Sequence, residues 1–334
     1  MRYLVVLILT LLTSSAAAQN WEDRRVFNPE GRTSLRIISS TDTAFFAPLI
    51  DAFVATEPDV SVEYLVTGTT DLDQRFRDAP QSFDIAISSA MDLQLKLTND
   101  GYALRLDGIA HPAWAQWRQS LFAFTSEPAV IVLNREAFEG RPIPRSRQAL
   151  IEALRARPEV FRGRVGTYDV RQSGLGYLFA TQDSRASETF WRLMEVIGSL
   201  NAQLYCCSGE MISDLTEGRI VVAYNVLGSY AAARAKYQDH IEIVMPSDFP
   251  TTMMRTALVS RRTKSPEAAR RFLAHLVAYQ STETEDAPAL PPLEGSEKGA
   301  IRGTIALEPA LMTYLDTLKR ARFLAEWENA LIQK

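Results

Sequence analysis

Cysteine and histidine are scarce in this sequence, at two and three of 334 residues. The histidines, His111, His240 and His275, lie far apart, with no H-E-x-x-H and no paired His–Cys spacing. That excludes the zinc sites that a short motif can encode. No G-x-x-x-x-G-K-[ST] loop is present. Gly174-Leu175-Gly176 has Phe179 where a third dinucleotide-binding glycine would stand. A G-x-S-x-G nucleophile elbow is also missing. Kinase, dehydrogenase and motif-bearing hydrolase chemistry therefore have no support, and no cofactor is implied. There is no basic excess either: 36 Lys and Arg against 40 Asp and Glu give −4. Nucleic acid is not an expected partner.

Long hydrophobic runs are absent after the first dozen residues. Arg2 precedes the apolar stretch Tyr3–Leu12, which is followed by Thr13-Ser14-Ser15, Ala16-Ala17-Ala18 and Gln19. This is the charged, apolar and small-residue order of a secretory signal peptide over residues 1–18. The run is too short to span a bilayer, which needs about 20 apolar residues. No cysteine sits at the cleavage site to carry a lipid. A mature chain starting at Gln19, periplasmic and anchored by nothing, is the expectation.

What is present is α/β alternation. Leu35–Ser39, Val60–Val66 and Asp84–Ser88 read as strands, each followed by a helical segment, which predicts a parallel sheet. The helix after Ser88 rests on its polar opening alone, because Met91, Leu93, Leu95 and Leu97 recur at strand spacing. Asn20–Thr33 reads as an irregular lead-in. Leu121–Thr125 and Val130–Asn134 are strand-like around Glu127-Pro128. A second α/β block runs from Arg164 to Val244. Ser265-Pro266 caps a helix over Glu267–Tyr279, and Glu308–Leu331 reads as one long helix.

The turns Ser39-Ser40-Thr41-Asp42-Thr43 and Asp84-Ile85-Ala86-Ile87-Ser88-Ser89-Ala90 carry a family resemblance. So do Tyr224-Asn225-Val226-Leu227-Gly228-Ser229-Tyr230 and Ser265–Phe272. In this order they resemble the type 2 periplasmic solute-binding proteins of ABC uptake systems, the group with ferric-iron and hexose-phosphate or phosphoglycerate binding components. The resemblance implies an α/β fold of two lobes joined by two crossing strands, near Thr125–Val130 and Val244–Thr252. Lobe one would be 33–126 plus 252–334, and lobe two 127–251. It further implies a non-enzymatic, monomeric receptor that closes on its ligand and meets an inner-membrane ABC permease. A sensory receptor partnering a histidine kinase and a secreted hydrolase with a fold-assembled site are the alternatives.

Helix N-termini at the carboxyl ends of strands favour anions. Hydroxyl and amide residues stand at four such turns, which makes a small anionic solute, organic or phosphorylated, the expected ligand. The candidate contacts are Ser40, Thr41, Asp42, Ser88, Ser89, Thr125, Asp169, Arg171, Ser173, Gly174, Tyr224 and Asn225. Arg171 leads, because its planar fork matches a carboxylate or phosphate. Iron-binding relatives use adjacent tyrosines. Tyr224 and Tyr230 are six apart, so ferric iron is the runner-up, with these two as its ligands. Cys206-Cys207 admits two readings, a pair of thiols or a strained vicinal disulfide shaping a wall of lobe two. The seven arginines of Arg141–Arg164 read as a solvated face.

Overall fold

A computed structural model describes residues 21–235, 239–280, 290–296 and 299–333. The expected signal peptide lies outside them, as does most of the acidic stretch at 282–300. Two sheets organise the described residues. The first has seven strands, with Thr33–Ser39 between the parallel strands Val60–Val66 and Ile85–Ser88. Thr256–Val259 then joins Ile85–Ser88 antiparallel and continues to Leu121–Ala123. The sheet is therefore mixed rather than wholly parallel.

Its other edge corrects the sequence reading. Asp23–Phe27, expected to be irregular, pairs antiparallel with Val60–Val66. Four of its five residues are exposed and only Phe27 is buried. An edge strand with almost no buried face shows no alternation, so the pattern that marks most strands was missing.

The second sheet has six strands. Its centre is Glu127–Asn134, flanked by Ile241–Val244 and Val222–Leu227, with Val165–Tyr168 and Gln203–Tyr205 beyond. The chain leaves the first sheet at 124–126 and returns at 254–255. Just beyond these passages Glu127 and Pro128 pair antiparallel with Met253 and Thr252. The two crossings thus run side by side, and Pro128 lies inside a strand, close to its start.

A buried charge cluster fastens this crossing. The Arg255 Nε and Nη2 donate to the two Glu127 carboxylate oxygens at 2.9 and 3.0 Å, and neither side chain is exposed. Arg255 also donates to the Thr41 hydroxyl of the first lobe. Glu127 accepts from Ser229 of the second lobe and from Thr125 at 3.1 Å. One ion pair therefore contacts both lobes and both crossing segments.

The C-terminus departs from the expected lobe division. Pro309–Leu315 is a 3-10 helix and Thr317–Leu331 a separate α-helix, whose N-cap Asp316 accepts from the Lys319 N–H. Leu318, in the first turn of this helix, is 80% exposed. Phe323, Trp327 and Leu331 instead enter the second lobe's core with Leu193 and Ile197. A Cβ on Gly198 would stand 2.4 Å from the Ala330 carbonyl oxygen, so this glycine permits the close docking. Residues 252–334 are therefore not all in lobe one.

Helix Met91–Asn99 forms despite its alternating pattern, with Leu95 and Leu97 both buried. Within the arginine-rich segment, Arg147 is fully buried rather than solvated. It donates to Asp183 at 2.9 Å and to the Tyr224 hydroxyl at 2.6 Å, with Phe249 packed on its guanidinium.

Candidate functional site

A cavity of about 310 Å³ lies between the lobes, near the lower end of the range of small-molecule sites. The first lobe lines it with Glu22, Ser40, Asp42, Thr67, Gly68, Thr69 and Ser89. Opposite stand Gln172, Ser173 and Leu175, then Cys206–Glu210 with Ser213, Leu227, Tyr230 and Arg234. Three helices that start here, Thr43–Thr56, Thr69–Asp78 and Ser208–Thr216, have no side-chain cap at their first turn. Residues at or beside all three starts line the same cavity, as at a sheet-end cleft.

Carboxylates already attend these helix starts. Asp42 is the N-cap residue of the first, and Glu22 meets the Gly68 N–H at the second. Glu210 sits in the first turn of the third. Burial, then the negative charges of Asp42 and Asp71, push the Glu22 carboxyl above its ordinary range. The lining therefore carries three carboxylates against Arg234.

The lobes also bond directly to one another. The Gly174 and Leu175 N–H groups donate to the Thr69 hydroxyl at 2.9 and 3.3 Å. The Thr70 hydroxyl donates to the Gln172 carbonyl at 2.7 Å. Tyr230 donates to the Asp42 carboxylate at 3.1 Å across the cavity. A Cβ on Gly174 would stand 3.1 Å from the Thr69 hydroxyl and 2.9 Å from Leu93 Cδ1, so a larger residue would crowd this contact. These bonds hold the lobes together around the cavity.

Four of the twelve residues expected to touch ligand line this space: Ser40, Asp42, Ser89 and Ser173. Ser40 and Ser89 hold one another, the Ser89 N–H donating to the Ser40 hydroxyl at 3.1 Å. Ser173 caps its own helix through the Gly176 N–H at 3.1 Å. Gly174 is a lobe-to-lobe contact. Thr41 and Thr125 are buried in the crossing cluster with Arg255, and Ser88 is buried, accepting from the Ala90 N–H.

Asp169 and Arg171 pair with each other, at 2.8 and 2.7 Å, and Arg171 turns toward Glu328 on the C-terminal helix. The leading anion contact is thus outside the cavity lining, because a carboxylate two residues away claims its fork. Tyr224 and Asn225 belong to the Asp183–Arg147 network in the second lobe, the Tyr224 hydroxyl donating to Asp183 at 2.6 Å. Tyr230 alone of the two tyrosines lines the cavity, while the Tyr224 hydroxyl is engaged by Asp183 and Arg147. Burial above all pushes both phenols well above their ordinary values, which disfavours phenolate.

Cys206 and Cys207 stand as free cysteines with sulfurs 2.7 Å apart. Neighbouring Cα atoms stand about 3.8 Å apart, closer than ordinary disulfides allow. The Cys206 S–H directed at Cys207 holds the Cys207 thiol below its usual value and pushes Cys206 up.

The chain is 32% identical to the substrate-binding protein of an ABC transporter from Agrobacterium tumefaciens, over 92% of this chain and 98% of that one, with a TM-score of 0.84. The chain belongs to the ABC-transporter substrate-binding proteins. Its fold is the two-lobed type 2 arrangement. AfuA from Actinobacillus pleuropneumoniae, solved with fructose-6-phosphate, aligns at TM-score 0.72 and 14% identity, over 91% of this chain and all of that one. Iron-bound HitA from Pseudomonas aeruginosa aligns at 0.63 and 13%, over 89% and 99%. At these identities the two support the fold of this substrate-binding protein alone. No protein-family model matches the chain, and no curated protein matches it. The comparisons lend nothing to the sensory or hydrolase alternatives.

Proposed function

We propose that this substrate-binding protein works in the periplasm, captures a small polar solute between its lobes without turnover, and presents it to an inner-membrane ABC permease. The carrying observation is the cavity itself, lined from both lobes and spanned by hydrogen bonds from Thr69, Thr70 and Tyr230. Hinge closure about two adjacent crossing strands converts ligand binding into a shape that a partner can read.

Glu22, Asp42 and Glu210 favour a solute with a positive group, cationic or zwitterionic, hydrogen-bonded by the surrounding serines and threonines. A purely anionic solute is the second reading, supported by the three uncapped helix starts. The carboxylates stand where its charge would go, so it is the weaker of the two.

A thermal-shift panel tests this, with amino acids, polyamines, cationic heterocycles, carboxylates, phosphorylated sugars, and ferric iron with and without citrate. A solute present at about 100 times its Kd adds roughly 2.7 kcal/mol to stability. Hits among cations or zwitterions are expected. Hits confined to phosphates or carboxylates would reverse the charge assignment in favour of the anion.

A further inference from the structure

We propose that Cys206, Cys207 and Glu210 form a binding site for a thiophilic divalent cation of the zinc class, on the second-lobe wall of the cleft. This deepens the solute-receptor reading and rests on it, since the site opens into the same cavity.

The helix start creates the cluster. Cys207 is the N-cap of Ser208–Thr216, and Glu210, three residues on, reaches back over it. The Cys206 sulfur lies 3.5 Å from Glu210 Oε2 and 2.7 Å from the Cys207 sulfur. One ligand atom from each of the three residues falls within a span of 4.8 Å. Thiolate is the donor that selects zinc-like ions over calcium or magnesium, and a carboxylate oxygen completes a familiar mixed set.

Three protein donors leave one tetrahedral position open, and the cavity supplies its direction. Gly209 has no side chain to fill that space. A Cβ there would stand 3.7 Å from the Asp42 carboxylate of the opposite lobe. Glu22 also faces the pair across the cavity. A cation on the dithiol would relieve the concentration of carboxylates and leave an open position for a donor atom of the solute.

Tetrahedral zinc with Zn–S bonds of about 2.3 Å needs sulfurs roughly 3.8 Å apart. Binding therefore requires the exposed Cys206 side chain to rotate away from Cys207 by about 1 Å. On binding, two S–Zn bonds form as the two thiol protons leave to solvent, and nothing is oxidised or reduced.

The test is a cadmium titration of the anaerobically reduced protein, with the ultraviolet thiolate-to-cadmium absorption as readout and zinc as competitor. One cadmium per chain with a two-thiolate band is expected. Cys206→Ser or Cys207→Ser should each lose the two-thiolate band and weaken zinc by more than about 100-fold. Glu210→Gln should keep the band and weaken zinc about tenfold, and unchanged thermal unfolding of the metal-free variants shows that they fold. A missing band, a band that survives the double serine variant, or sulfurs that resist reduction would each overturn the proposal. A solute hit without a cadmium band refutes the metal site and leaves the receptor reading intact. A cadmium band in a protein that binds no solute supports the metal site and counts against that reading.

Discussion

Arg255→Ala tests the crossing cluster, because the structure leaves its partner nowhere to go. Glu127 is unexposed, and its carboxylate takes two of its hydrogen bonds from this guanidinium. Removing one member of a buried pair leaves an uncompensated charge, which costs about 3–5 kcal/mol. Thr41 also loses its Arg255 partner, which adds to the loss. At roughly 2–4 °C per kcal/mol for a chain of this size, the midpoint should fall on the order of 10 °C.

Urea and thermal unfolding of the two proteins side by side would measure this. The double variant Arg255→Met, Glu127→Leu removes both charges and should recover at least half of the loss, since replacing a buried pair with apolar side chains is often close to neutral. A single-variant loss below about 1 kcal/mol, or a double variant as unstable as the sum of both singles, would refute the argument.

Three further outcomes follow from particular contacts. Asp92 is buried in the first turn of Met91–Asn99, and burial pushes its carboxyl to about 7 from 3.8. The folded protein then holds a proton that the unfolded chain releases, so stability falls as pH rises from about 4 to about 7. The span is worth roughly 4 kcal/mol; Asp92→Asn should abolish that slope in urea unfolding at pH 4 to 8, and an unchanged slope would remove Asp92 as its source. Arg171→Ala breaks a pair between a partly exposed arginine and a buried carboxylate that keeps the backbone N–H of residue 171 and Gln172 as donors, so it should cost about 1–3 kcal/mol of stability and leave the affinity for any panel hit unchanged; a tenfold loss by calorimetry would return Arg171 to the site. Thr69→Val removes the hydroxyl that caps Gly174 from the opposite lobe. It should weaken the same solute about 5–10-fold, the worth of one hydrogen bond of about 1 kcal/mol, and full affinity would show that this bond does not hold the closed form.

Three of the four turns that the sequence marked line the cleft, because strand-to-helix turns gather at the carboxyl ends of neighbouring strands, while Tyr224 and Asn225 of the fourth are held by Asp183. Ser40, Asp42, Ser89 and Ser173 were legible on that ground alone. Which turn residues face the cavity was not, since a hydroxyl can equally satisfy its own helix or a buried charge, as Thr41, Ser88 and Thr125 do. Arg171 misled for a related reason: local sequence shows a free fork but not the carboxylate, two residues away, that occupies it. Glu22 was passed over because it directly precedes an exposed edge strand without periodicity, although it brings a carboxylate to the cavity. Arg147 and Arg255 show the deeper limit. Each is an ordinary arginine in sequence, and each is buried only because a distant acid, Asp183 or Glu127, waits at its destination. Such pairs are properties of two chain segments at once, so a reading that moves along one segment at a time assigns both partners to the surface. The charge we propose for the solute depends on the same kind of convergence. Uncapped helix starts argue for an anion one helix at a time, whereas Glu22, Asp42 and Glu210, brought together from three segments, argue for a positive group.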